Sequence, residues 1–179
     1  MRLCHNELMS VASEFLDYSA EKLELYLDRI ETCVGKVTPE QVWARQSENE
    51  NAMGNLILHL DGNIRQWIIG GVGGEVDIRD RNAEFDARGG SLPDQLRARL
   101  RATIEQAVAI VRNVPPERLT ERIHPQGYDA SVLEAIYQVV QHLAGHAFQI
   151  MLLTKVHTSQ DLGFFAHLRQ ASKTQSGRP

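Results

Sequence analysis

Leu16, Ala20, Leu23, Leu27, Ile30 and Val34 return at three- and four-residue spacing, which predicts a helix over residues 6–34 with one apolar stripe. Its opposite flank carries Asp17, Glu21, Glu24, Asp28 and Glu31. Such an acidic row is a solvated face, a dimer contact or a partner for arginines on a neighbouring helix. Met53, Leu56, Leu60, Ile64 and Trp67 mark a second helix over 52–69. Leu96, Leu100, Ile104, Ala107 and Val111 mark a third over 93–114, and Val132, Ile136, Val139, Leu143, Ile150 and Leu153 a fourth over 130–156. No internal repeat and no strand is predicted.

The segments between these stripes carry stop and start signals. Thr38-Pro39-Glu40-Gln41 offers an N-cap, a first-turn proline and a capping-box glutamine, so a short helix through Val42 and Trp43 is expected. Pro115-Pro116 ends the third helix, and Asp129 or Ser131 caps the fourth. Ser159 and Asp161 introduce a further turn through Phe164, Phe165 and Leu168, and residues 171–179 read as a frayed tail after a single domain of residues 1–170.

Gly70-Gly71-Val72-Gly73-Gly74 and the charged stretch from Glu75 to Arg88 join the second and third helices. The glycines follow a helix and lack a Gly-Lys-Ser/Thr ending, so they read as a helix stop and not as a phosphate loop. The connection is far longer than an antiparallel helix hairpin needs. It can carry the chain back along the bundle, so that the second and third helices run parallel.

A net charge of −4 and a pI near 6.0 offer no attraction to nucleic acid or an anionic membrane. Cys4 and Cys33 form neither a disulfide framework nor a Cys-x-x-Cys site. Acids at Glu7, Glu14 and Asp17 interrupt any signal-peptide core, and no apolar run reaches membrane-spanning length. A cytoplasmic protein is expected.

The candidate chemistry lies in His59, on the second helix, and in His142 and His146, four apart on the fourth. Residues four apart share a helix face, so this pair can grip one ion from a single helix, and a third imidazole would complete a three-ligand site with an open position. His146 occupies the apolar seam and His142 lies beside it. A histidine there needs a buried partner, which is either a hydrogen bond in the core or a metal ion. His5, His124, His157 and His167 fall near helix ends or in loops, where surface histidines are the default. Arg79, Asp80 and Arg81 are either a gate over the site or part of a solvated loop, and Trp43 and Trp67 either line a pocket or pack at the core and rim.

Three blocks stand in order along the chain: Asn55-Leu56-Ile57-Leu58-His59-Leu60-x-Gly62-Asn63-x-Arg65-Gln66-Trp67, Gly71-Val72-Gly73-Gly74 through Arg79-Asp80-Arg81, and His142-x-x-x-His146-x-x-Gln149-Ile150. Together they resemble the DinB-like superfamily. The similarity extends through Thr154-Lys155 and Asp161-Leu162-Gly163-Phe164, and the best match is an uncharacterised subfamily. The resemblance implies an all-α, four-helix bundle in up-down-down-up order, a homodimer, and a divalent metal held by His59, His142 and His146. Its remote relatives include transferases and isomerases that use low-molecular-weight thiols.

Three neutral imidazoles leave Zn²⁺ or Ni²⁺ with its full charge and a free position, enough to activate a water or a thiol. The expected function is therefore a metal-dependent transferase or hydrolase acting on a small molecule. The alternative is a non-catalytic metal-binding or stress-response dimeric bundle, and a third reading is a plain bundle that takes up metal only in excess. No carboxylate stands one turn from the ligands; Asn55 and Asn63 flank His59, Gln138 precedes His142, and Gln149 follows His146. These four amides are the expected hydrogen-bond partners of the imidazoles.

Overall fold

A computed structural model describes residues 2–166, with residues 2–10 as helical backbone only. Cys4 and His5 are thus without described side chains, and His167, Leu168 and the predicted frayed tail lie outside the described residues. The fold is all-α apart from one minimal strand pair. Its elements are α1 (Arg2–Val34), α2 (Pro39–Val42), α3 (Met53–Ile64), α4 (Arg81–Asp86), α5 (Pro93–Arg112) and α6 (Val132–Thr158). Contrary to the expectation of no strand, Arg122–Ile123 (β1) and Ala130–Ser131 (β2) pair antiparallel. Two residues per strand are too few to leave an alternating pattern.

The apolar stripes become the core. Leu23, Ile30, Leu60, Ile64, Leu100, Ile104, Ile136 and Leu143 are fully buried, each worth roughly 1.5–3 kcal/mol of burial. α1 packs along α5 and α6, and α3 packs along the same two helices from the other side. Two members of the acidic row on α1 meet arginines of α5: Glu24 bonds Arg112 at 2.9 Å and Glu31 bonds Arg101. α2 carries its capping box, with Thr38 and Gln41 bonded reciprocally. Ser131 is the N-cap of α6, accepting from Glu134 N.

The second helix does not stop at its first glycines. It continues from α3 as a π-helix, Arg65–Val72, closed by bonds such as Gly73 N to Ile68 O at 2.8 Å. A side chain at Gly71 would press on Pro125 Cβ at 3.2 Å, so this glycine admits the 3₁₀ turn Pro125–Gly127 against the helix. The chain leaves the helix only at Gly74, where φ is +82°.

From there the connection retraces α3. Asp77 and Arg79 bond Gln66, Glu84 bonds His59, and Ala87 O accepts from Asn55, each step nearer the start of α3. Most of its residues are exposed to solvent, yet it is stitched to the helix by a few buried polar groups. Asn55 is fully buried and holds the carbonyls of Glu84 and Ala87 at 2.8 and 2.9 Å, while Arg45 joins Asn55 to Ala87. Buried Asp61 then ties α3 to Arg99 and Thr103 of α5. No helix among the described residues is long and apolar enough to cross a membrane.

Candidate metal centre

α3 delivers His59 and α6 delivers His142 and His146 to one point, with one ring nitrogen of each within 4.8 Å of the others. His59 is 6% exposed and the other two are half-buried, so the cluster lies at the inner end of an opening between α3 and α6. The nearest approach is Nε2 of His59 to Nε2 of His142, at 2.9 Å. Two bare lone pairs cannot face each other at that distance. Either a proton lies between them or a cation does.

The surroundings of His59 accommodate both states. Its Nδ1 is 3.0 Å from Glu84 Oε2 and 3.1 Å from Arg79 Nη2, an acceptor and a donor side by side. With the proton on Nδ1, His59 donates to Glu84 and presents the Nε2 lone pair to the cluster. With the proton on Nε2, it donates to His142 and Nδ1 accepts from Arg79. A tetrahedral ion with Zn–N bonds of about 2.0–2.1 Å sets its ligand nitrogens about 3.3 Å apart, so loading opens the His59–His142 pair slightly and draws in the nitrogens that now stand up to 4.8 Å apart. The donor set therefore fits a divalent ion, with His59, His142 and His146 as the residues that would hold it.

Electrostatics favour the ligating form. Burial, followed by the neighbouring His146 and His59, pushes the pKa of His142 from 6.5 down to about 4, and burial also lowers that of His146. At neutral pH both keep free lone pairs. Burial opposes ionisation of Glu84, but hydrogen bonds from Arg79 and His59 outweigh it and hold the carboxyl below its ordinary range. The resulting carboxylate can orient the His59 ring.

The metal-free protein should accordingly lose stability as pH falls from about 6.5 to about 4. In that window the unfolded chain binds a proton at residue 142 and the folded chain does not, so unfolding takes up protons and acid favours it. Below about 4 both states are protonated and this contribution stops changing. Tm measured against pH with a chelator present checks the slope. His142→Ala should flatten it.

The four amides end in different places. Gln149 Oε1 meets His146 Nδ1 at 2.7 Å, whereas the side chain of Asn55 spends its hydrogen bonds on Arg45, Ala52 and the connection. Asn63 and Gln138 line a cleft of about 860 Å³ that opens beside His59 and His142. Trp67 is buried on the wall of that cleft, while Trp43 packs over Gly54 and bonds Ser91 O. Asp80 caps α4, Arg79 is buried against Glu84, and Arg81 lies at the cleft. His124 is exposed and His157 half-buried.

The family described as "Protein of unknown function (DUF1572)" matches residues 10–168. The chain belongs to this family. A similar solved structure is titled "Crystal structure of the conserved protein of locus from Enterococcus faecalis". It has a TM-score of 0.70 and 12% identity, and the match covers 80% of this chain and 97% of that one, so the likeness is one of fold. Comparison with curated proteins finds no match.

In this DUF1572 protein the residues that sequence reasoning missed are Glu84 and the role of Arg79. They come from the connection, 25 and 20 residues away from His59. One signal was present. Gly62 stands in the middle of a helix, three residues after His59, where glycine costs about 1 kcal/mol against alanine and so invites a packing reason. A Cβ there would overlap Glu84 Oε1 and lie 2.9 Å from Arg79 Nε.

Proposed function

We propose that this DUF1572 protein is a DinB-like four-helix bundle in up-down-down-up order that binds one divalent ion through His59, His142 and His146. We assign it the role of a metal-dependent transferase or hydrolase acting on a small molecule. Side-chain pairings support the order. Glu24 with Arg112 and Glu31 with Arg101 require α1 and α5 to be antiparallel, while the retracing connection and the Asp61–Arg99 contact suit a parallel α3 and α5. Gln41 bonds His157 O, which brings the end of α6 near the start of α3.

The observation that carries the metal reading is the convergence of three imidazole nitrogens with Glu84 behind the most buried one. Among the described residues no fourth histidine, cysteine or carboxylate joins the group. Three protein ligands with a free position are the arrangement of catalytic sites, whereas a purely structural or sensing ion is held in a closed sphere. Bound there, Zn²⁺ or Ni²⁺ lowers the pKa of a coordinated water or thiol, providing a nucleophile at neutral pH. Glu84 fixes the tautomer of His59, Gln149 orients His146, and the cleft beside His142 admits the electrophile. The cosubstrate we assign is a low-molecular-weight thiol, on the DinB-like resemblance alone. Tyr18, Leu25, Phe148, Leu152 and Val156, exposed on α1 and α6, provide apolar surface for the homodimer expected of this type.

Elemental mass spectrometry on untagged protein purified without chelating resin tests the reading. About one ion per chain is expected, and its identity selects between zinc and nickel. Folded protein that carries no ion and takes up neither Zn²⁺ nor Ni²⁺ on titration would overturn it.

A further inference from the structure

The cleft beside the histidines has its own chemistry. Asn63 and Trp67 follow His59 along the same helix, at four and eight residues, and both line it. Asn63 is 6% and Trp67 7% exposed, and each has a buried polar atom without a partner among the described residues. These are Asn63 Oδ1, an acceptor, and Trp67 Nε1, which can only donate. Groups this deeply buried ordinarily find a partner. A hydroxyl carries both functions these atoms lack, a donor for Asn63 Oδ1 and an acceptor for Trp67 Nε1.

Around them the wall is aromatic. Tyr128 stacks near Trp67 with centroids 6.0 Å apart at 30°, and Tyr137 lines the same cleft with most of its ring exposed. The charge is graded. Arg79 is neutralised by Glu84, but Arg81, over the ring of Phe85 at 4.9 Å, pairs with no carboxylate among the described residues. Asp129 and Glu134 at the far rim are bonded to Arg122 at 3.0 and 3.1 Å and leave that end acidic. An anion is therefore favoured only at the end shared by Arg81 and the histidines.

We propose that this cleft binds a monoanionic aromatic acid bearing a hydroxyl group. The carboxylate lies toward Arg81 and the histidine cluster, the ring lies against Trp67 and the tyrosines, and the hydroxyl satisfies Asn63 and Trp67. The proposal builds on the metal-centre reading by naming what the adjoining cleft takes up, but binding through these groups does not need the ion.

The test uses 4-hydroxyphenylacetate as probe, with three comparators that each lack one feature: phenylacetate, 4-hydroxyphenylacetamide and (4-hydroxycyclohexyl)acetate. The chain has two tryptophans, so a ¹H–¹⁵N spectrum shows two indole signals, and Trp43→Phe assigns that of Trp67. The Trp67 signal should shift saturably with the probe in both metal-free and Zn²⁺-loaded protein. Loss of the hydroxyl should weaken binding roughly tenfold, because two buried groups are again left unpaired. Loss of the charge should weaken it about fivefold, and Arg81→Gln should do the same to the acid while sparing the amide. A stationary Trp67 signal, or equal binding of all four compounds, overturns the proposal. Failure of both Zn²⁺ and Ni²⁺ to bind overturns the metal centre instead, and the metal-free titration still decides the cleft.

Discussion

His142→Ala is expected to leave the protein folded and to abolish the metal binding proposed above. His142 Nε2 lies 2.9 Å from His59 Nε2, so its loss leaves two imidazoles, one on each helix, with no third to close the set. Loss of an outer hydrogen-bond partner of a ligand costs about 10–100-fold in metal affinity, and loss of the ligand itself must exceed that. Stability should be spared, because His142 is half-buried and its burial opposes the charged form, so alanine removes a group that is costly in acid. Elemental analysis beside circular dichroism separates the two effects. A mutant that keeps about one ion per chain would remove His142 from the site. A mutant that unfolds would show that the histidine cluster is a structural core feature.

Gly62→Ala is the second large effect, and it is opposite in sign to helix propensity. In an ordinary helix interior the change is stabilising by about 0.8–1.0 kcal/mol. Here the new Cβ collides with Glu84 Oε1 and crowds Arg79 Nε. The carboxylate must then leave Arg79, which it meets at 2.7 Å with both side chains under a tenth exposed. Breaking a buried ion pair costs about 3–5 kcal/mol, so the loss outweighs the propensity gain and net destabilisation of about 2–4 kcal/mol is expected. Metal affinity should fall about 10–100-fold as well, since His59 loses the carboxylate that orients it. Glu84→Ala should reproduce both effects, and Gly62→Ala should add little on that background, which a double-mutant cycle measures. Unchanged affinity in Gly62→Ala would show that Glu84 does not tune the centre.

Much of the fold was legible along the chain. The stripes beginning at Leu16, Met53, Leu96 and Val132 are the buried faces of the four long helices, and the capping signals at Thr38 and Ser131 operate as read. Periodicity reports local geometry, and a helix with one apolar face must bury it. Boundaries set by packing were less legible. The second helix runs past Gly70 and Gly71 as a π-helix, and Gly71 there makes room for Pro125, a residue more than fifty positions away.

The candidate site divides in the same way. His142 and His146 share a helix face by spacing alone, and His59 stood beside them as a candidate on the second helix before the family resemblance grouped the three, so all three converging imidazoles could be named from the chain. Among their expected partners, Gln149 lies within its own helix turn and meets His146, whereas the carboxylate behind His59 could not be found by looking one turn away.

By itself, then, the sequence determined the helices, their buried faces and the imidazoles, because each is written in neighbours three or four residues apart. Only the tertiary structure decided that the long connection is stitched to α3 by Asn55 and brings Glu84 and Arg79 to His59. It also decided that Asn63 Oδ1 and Trp67 Nε1 are left without partners among the described residues, beside an aromatic cleft. Those outcomes depend on which segments meet across the fold. Hydrogen bonds and steric gaps between distant residues leave no periodic trace in the chain.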